Sequence, residues 1–270
     1  MQITFIGGGN MAGAIIGGLL NQGYSAEALR VVEIAADARA KIARQYGIGA
    51  VAQIDGAAVA GDCVVLAVKP QNMREVATAL RPLLKHQLVI SIAAGIRSTD
   101  LSRWLGGYPR LVRVMPNTPA LVGAGCTGVY AAPGVMQEDV ARAEAILGAV
   151  GTTLRIEREE QLDAITAVSG SGPAYVFYFM EALQHAALDL GLAPDAARRL
   201  ALATFVGAVK LAADSTEEPA ILRARVTSKG GTTAAALASM DAAGIDKSIR
   251  RAVKAADERS RELGDELGKD

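Results

Sequence analysis

The chain has only two cysteines in 270 residues, Cys63 and Cys126, too few and too far apart for a disulfide framework or a metal cluster. Both stand in apolar runs, Cys63-Val64-Val65-Leu66 and Gly125-Cys126-Thr127, where a thiol behaves as a small hydrophobe. Histidine is equally scarce: His86 lies in a polar stretch and His185 inside an apolar helical pattern. Neither has a Ser, Cys or Asp partner at a spacing that would build a nucleophilic triad, so both read as structural. Charge of one sign is missing too, since 28 Lys+Arg balance 28 Asp+Glu. That leaves no basic field for a phosphate backbone and no acidic tail, which argues against nucleic acid and anionic membrane as partners. No apolar run free of glycine and charge approaches the ~18 residues that span a bilayer. Residues 1–6, Met-Gln-Ile-Thr-Phe-Ile, carry no basic leader or cleavage site and read as a strand. The expectation is a reduced, cytoplasmic protein with a small-molecule ligand.

With 51% hydrophobic residues, the chain is long enough for one large domain or two ordinary ones. Short β-branched runs at 3–6, 30–32, 63–68, 88–93 and 111–115 alternate with longer helical patterns, and most are apolar at nearly every position. Strands of that kind are buried on both faces, as in a parallel sheet covered by crossover helices. After Thr152-Leu154-Ile156 the strand signal ends. From Gln161 on only helices are read, at 173–190, 194–213, 219–226, after Gly231 and at 246–267, with Pro173, Pro194 and Pro219 where a first-turn proline belongs. The fold expected is α/β: a doubly wound parallel, Rossmann-type domain over 1–157 and an all-helical domain over 158–270. The helix after Pro173 (Tyr175, Val176, Phe177, Tyr178, Phe179, Met180, Leu183) is apolar around most of its circumference. A small bundle cannot bury such a helix alone, so it is expected to pack against a second copy of the chain.

Strand 3–6 runs into Gly7-Gly8-Gly9-Asn10-Met11-Ala12 and then a helix, the dinucleotide fingerprint in its Gly-x-Gly-x-x-Ala form. Gly7 allows the tight turn, Gly9 lets a pyrophosphate approach the backbone, and Ala12 lets helix and strand pack closely. The helix start then offers N–H groups to the phosphates. The second strand ends at Glu33, where an acid takes the ribose hydroxyls and favours NADH over NADPH; a solvated strand-end charge is the plain alternative. In an open parallel sheet ligands lie outside the carboxyl ends of the strands. The loops Ala67-Val68-Lys69-Pro70 and Ala93-Ala94-Gly95 are therefore expected to line the cofactor path. Met115-Pro116-Asn117-Thr118-Pro119 reads either as a rigid ring-binding loop or as an ordinary connection.

A nicotinamide cofactor implies hydride transfer. A carbonyl substrate wants a poised proton donor, whereas an imine arrives protonated and needs only orientation and one donor at nitrogen. Residues 226–233 (Val-Thr-Ser-Lys-Gly-Gly-Thr-Thr) open a helix with two glycines and four hydroxyls. They form either an N–H nest for a carboxylate, with Thr233 or Ser228 donating to a ring nitrogen, or a plain hydroxyl-capped helix.

Across essentially its whole length the chain resembles pyrroline-5-carboxylate reductases, which reduce a cyclic imine to L-proline in the last step of proline biosynthesis. The residues that carry the resemblance are Phe5-Ile6-Gly7-Gly8-Gly9-Asn10-Met11, Ala67-Val68-Lys69-Pro70, Ser91-Ile92-Ala93-Ala94-Gly95, Arg113-Val114-Met115-Pro116-Asn117-Thr118-Pro119, Ser169-Gly170-Ser171-Gly172-Pro173-Ala174-Tyr175 and Gly230-Gly231-Thr232-Thr233. The resemblance implies NADPH or NADH as cofactor, and a homodimer with interlocked helical domains, alone or in a higher ring of dimers. It places the substrate loop on Ser228 to Thr233, with the N–H groups of Gly231, Thr232 and Thr233 on the carboxylate and the Thr233 hydroxyl on the imine nitrogen. It also places Glu159 near that pocket. Lys229 stands where many relatives carry Pro, Arg225 where some carry Asn, and Glu33 departs from the short polar residues of NADPH-preferring relatives. Two other readings compete. One is a β-hydroxy-acid dehydrogenase of the same two-domain plan, whose catalytic Lys would fall on Lys210 but whose Asn one turn later is here Asp214. The other is a non-catalytic NAD(P)-sensing regulator.

Overall fold

A computed structural model describes residues 1–269. The chain divides into two compact units: the first takes Met1–Ser171 and the chain from Ala256 onward, the second is Gly172–Ala255. In the first unit eight strands form one sheet: β1 (Ile3–Ile6), β2 (Leu29–Val32), β3 (Gly49–Val51), β4 (Cys63–Leu66), β5 (Leu88–Ser91), β6 (Leu111–Met115), β7 (Gly125–Ala131) and β8 (Gly151–Ile156). Their order is β3-β2-β1-β4-β5-β6-β7-β8, the doubly wound order with two strands added beyond β6. Every pairing is parallel except β6 with β7, which run antiparallel with Val114 opposite Val129. The sheet is thus parallel-dominated rather than wholly parallel.

Helices α1 (Asn10–Asn21), α2 (Ala36–Tyr46), α3 (Met73–Leu80), α4 (Ser98–Trp104) and α5 (Gln137–Gly148) pack against this sheet. Side chains alternate across a strand, so Ile3, Phe5, Val65 and Ile90 join Ile15, Ile16 and Leu19 of α1 in one core. Ile6, Val64, Leu66 and Val89 join Met73 and Leu80 of α3 and Leu101 of α4 in the other. Both cores draw on the same strands, and that double burial is why the strands read as unbroken apolar runs. Two strands stop short of their apolar runs: β4 ends at Leu66 and β5 at Ser91. The residues beyond them, up to Val68 and Ala93, turn out of the sheet into the loops at its carboxyl edge.

From Gln161 on, all regular structure among the described residues is helical. α6 (Gln161–Ile165) widens into a π-turn (Thr166–Gly170), closed where Ser171 N–H donates to the Thr166 carbonyl at 2.8 Å. Then come α7 (Gly172–Asp189), α8 (Pro194–Ala213), α9 (Pro219–Arg225), α10 (Thr232–Ala242) and α11 (Ile245–Leu267). Pro194 and Pro219 each open their helix, where the missing N–H costs nothing. The last turns of α11 belong to the first unit. There Ser260 Oγ donates to Asp163 at 2.7 Å and Arg97 pairs with Asp265 at 2.5 Å. No helix among the described residues is long and apolar enough to cross a membrane.

Candidate active site

The strand order reverses between β1 and β4, which opens a crevice outside their carboxyl ends. Gly7 leaves β1 there with φ +100° and donates its N–H to the Val32 carbonyl at 2.8 Å, while Ala67 N–H reaches the Ile6 carbonyl at 2.8 Å. A Cβ on Gly7 would stand 2.7 Å from the Ala67 oxygen and 3.1 Å from Val68 Cγ1, so this corner is closed by direct packing. Gly9 differs, because a Cβ there would meet nothing within 4 Å. It is the N-cap of α1, whose first turn carries neither an acidic residue nor a side-chain cap. Unsatisfied N–H groups at an open, uncapped helix start fit an anionic pyrophosphate. Asn10 is exposed and Met11 half-buried in that turn.

Glu33 follows β2 directly. Its Oε2 accepts from Gly8 N–H at 2.9 Å and its Oε1 from Ala35 N–H at 2.9 Å, so it is a fixed carboxylate beside the glycine turn, not a free strand-end charge. Arg39 folds back to the same place, donating to the carbonyls of Glu33 at 2.7 Å and Ile34 at 3.1 Å. Lys69 is exposed and Pro70 opens a short 3-10 turn. Ala93 and Gly95 are buried and Ala94 half-buried; Gly95 sits beneath Leu263 and Leu267 of α11. Past β6, Pro116 is buried and the Met115 methyl lies against Gly170. Asn117 donates to Ser169 Oγ at 3.0 Å and accepts from Cys126 N–H at 2.9 Å, so its amide joins this loop to β7 and to the π-turn.

Glu159 also lies in the first unit. Oε1 accepts from Ser98 N–H at 2.6 Å and from Arg113 at 3.0 Å, and Oε2 from the Ser98 hydroxyl at 2.5 Å. Burial, and then the charges of Glu159 and Glu160, hold the nearby Tyr130 hydroxyl above its usual pKa. Sequence reasoning missed Arg113 and Ser98, yet Arg113 stood in a motif already singled out. A lone arginine in the apolar run 111–115 was the available signal, since buried arginines are paired.

The loop at 228–233 belongs to the second unit. Gly231 N–H donates to the Ser228 carbonyl at 3.1 Å, closing a turn with Gly230 left-handed (φ +72°) at its third position. Gly231 is the N-cap of α10, and no side chain caps that helix, so the plain hydroxyl-capped reading does not hold. With the Gly231 N–H committed to the turn, the free donors at this helix start are the N–H groups of Thr232 and Thr233 and of the residue after them. Lys229 occupies the second turn position, where proline is favoured when glycine follows in the left-handed region. Lys229→Pro should therefore raise stability by about 0.4–1 kcal/mol, read as a thermal midpoint higher by a degree or more. A lower midpoint would mean that the turn is of another type.

Residues 159–263 match the family model described as pyrroline-5-carboxylate reductase dimerisation, and residues 2–95 match the one described as NADP oxidoreductase, coenzyme F420-dependent. The chain is 48% identical over 268 residues to a pyrroline-5-carboxylate reductase of Pseudomonas aeruginosa, covering 99% of this chain and 98% of that one. Among solved structures it is similar to a pyrroline-5-carboxylate reductase of Coxiella burnetii, with TM-score 0.92 and 39% identity over 97% of this chain and 98% of that one. It is also similar to a Plasmodium falciparum pyrroline carboxylate reductase with NADP bound, with TM-score 0.86 and 30% identity over 98% of each chain. The doubly wound first unit, the open glycine turn, the uncapped start of α10 and identity along the whole chain agree: this chain belongs to the pyrroline-5-carboxylate reductase family.

Proposed function

We propose that this chain reduces the cyclic imine L-1-pyrroline-5-carboxylate to L-proline with NADPH or NADH, as a homodimer in the cytoplasm. The observation that carries this is identity along the whole chain to enzymes of that name. A bound nicotinamide supplies the hydride, and the task left to the chain is to hold and orient. The N–H groups at the start of α1 hold the pyrophosphate, with Gly7 shaping the turn and Gly9 leaving room. Glu33 takes the ribose hydroxyls, which favours NADH, and Arg39 is the cation beside them for a 2′-phosphate.

In the second unit the N–H groups of Thr232 and Thr233 hold the substrate carboxylate, and Gly230 and Gly231 shape the turn that presents them. The Thr233 hydroxyl donates to the imine nitrogen, with Ser228 as its neighbour across the turn. Most of the acceleration then comes from fixed proximity rather than from proton transfer, in keeping with histidines that are both exposed and away from any triad. A cytoplasmic setting agrees with two free thiols, of which Cys63 is buried, its pKa pushed up by that burial. The homodimer is the assembly proposed as the functional unit, and a ring of dimers would need surfaces beyond the apolar helices described below.

The direct test follows loss of reduced-nicotinamide absorbance with pyrroline-5-carboxylate, in parallel with NADH and NADPH. Turnover is expected with both, and the ratio of the two rates reports what Glu33 and Arg39 select. Cofactor binding without turnover would return the weight to a β-hydroxy-acid dehydrogenase or a regulator. Thr233→Ala should lower kcat/KM by roughly one to two powers of ten, since one charge-assisted hydrogen bond contributes ~1.5–3 kcal/mol. Near-wild-type turnover would refute that role.

A further inference from the structure

Arg113 is the one charged residue of β6, and with 6% of its surface exposed it needs a counter-ion inside the fold. Glu159 supplies it at 3.0 Å. The same carboxylate takes both the N–H and the hydroxyl of Ser98. Ser98 is itself buried and opens α4, three residues past Gly95. Arg113 stands beside Ser91 of β5 and two residues before Met115. A single half-buried carboxylate therefore ties the start of α4, which follows the loop leaving β5, to β6 two residues before that strand ends. Both oxygens are engaged by these partners, which leaves the group poorly placed to serve as a ligand for a substrate carboxylate of its own sign.

We infer that Glu159, with Arg113 and Ser98, is a positioning residue for the cofactor loops Ala93–Gly95 and Met115–Asn117, and that it acts on cofactor affinity rather than on the substrate. The inference rests on those loops lining the nicotinamide path. Glu159→Gln keeps an oxygen for the Ser98 donors but removes the charge opposite Arg113, and Glu159→Ala removes both. Arg113 and Glu159 act through one link, so the double substitution Glu159→Gln with Arg113→Met should lose no more than Glu159→Gln alone.

The test titrates NADPH into each variant without substrate, measures substrate KM at saturating NADPH, and follows hydrogen exchange of residues 92–98 and 113–118 with and without NADPH. The expected result is an NADPH Kd about tenfold higher in Glu159→Ala, the scale of one charge-assisted hydrogen bond, with partial recovery in Glu159→Gln. Substrate KM should stay within about twofold, and exchange in both segments should rise together. A substrate KM that rises while the NADPH Kd holds would overturn the inference and make Glu159 a substrate ligand. Unchanged Kd and KM would overturn it as well. If NADPH protects neither segment in the wild-type protein, the cofactor-path reading fails and the inference with it; protection there with an unchanged Kd in the variants overturns the inference alone. Should Glu159→Ala fail to fold, Glu159→Gln and the double substitution decide the question by the same readouts.

Discussion

Phe177→Lys is expected to leave the protein monomeric at micromolar concentration and without measurable turnover. None of the residues of α7 is buried within the single chain, although the helix is built from Tyr175, Val176, Phe177, Tyr178, Phe179 and Met180. Phe177 is 64% exposed and Tyr178 70%. α8, which packs on α7, adds Val206, Val209 and Leu211, all exposed. So continuous an apolar surface marks an interaction site, and the match of 159–263 to a dimerisation family supports a second copy of the chain as its cover. In a two-fold dimer every interface residue counts twice. Losing one buried aromatic at ~1.5–3 kcal/mol on each side thus costs ~3–6 kcal/mol, or roughly two to four powers of ten in the dimer Kd, before the burial of a lysine charge is added. Sedimentation velocity over a concentration series reads the assembly, and circular dichroism confirms that the helices persist. A variant that stays dimeric and active would place the interface elsewhere.

The sequence was informative where local chemistry and tertiary packing agreed. The run 3–6, the glycine turn and the helix after it are consistent at every level, and β1 and α1 fall where the pattern placed them. The prolines at 194 and 219 set helix starts for the same reason. β7 was read only as an apolar stretch, because its glycines dilute the strand signal. Gly128 lies close under α6: a Cβ there would stand 2.6 Å from Ile165 Cδ1, so the side chains of that helix would have to shift to admit one. β3 is a three-residue edge strand with almost no pattern to detect. At the site, the fingerprint gave the identity of Glu33 but neither its two backbone donors nor Arg39, whose side chain folds back to the carbonyls of Glu33 and Ile34. Asn117 illustrates the general limit. Its place in a recognisable motif marked it as a site residue, but that its amide is held by Ser169, 52 residues on, and by the Cys126 N–H is something no local pattern reveals.

Gly7→Ala and Gly9→Ala should fail in different ways, and the contrast tests the cofactor crevice itself. At Gly7 an alanine would have to hold φ near +100° at ~1–3 kcal/mol of strain, and its Cβ would sit 2.7 Å from the Ala67 carbonyl oxygen, a backbone atom that cannot swing aside. Overpacking of that kind adds ~1–3 kcal/mol, so the turn is expected to shift, with the thermal midpoint falling by several degrees. NADPH affinity should fall with it by roughly two to four powers of ten, since the pyrophosphate loses the aligned N–H groups that the turn presents. At Gly9 φ is −71°, which any residue adopts, and a Cβ meets no atom of the chain. The folded protein should therefore melt at or slightly above the wild-type midpoint, because alanine lowers the entropy of the unfolded chain. The new methyl group occupies the space left for the pyrophosphate, so NADPH should bind about ten- to a hundredfold more weakly. Calorimetric titration with NADPH beside a thermal melt separates the two outcomes. Full affinity in Gly9→Ala would move the pyrophosphate away from the start of α1, and with it the reading of the crevice between β1 and β4.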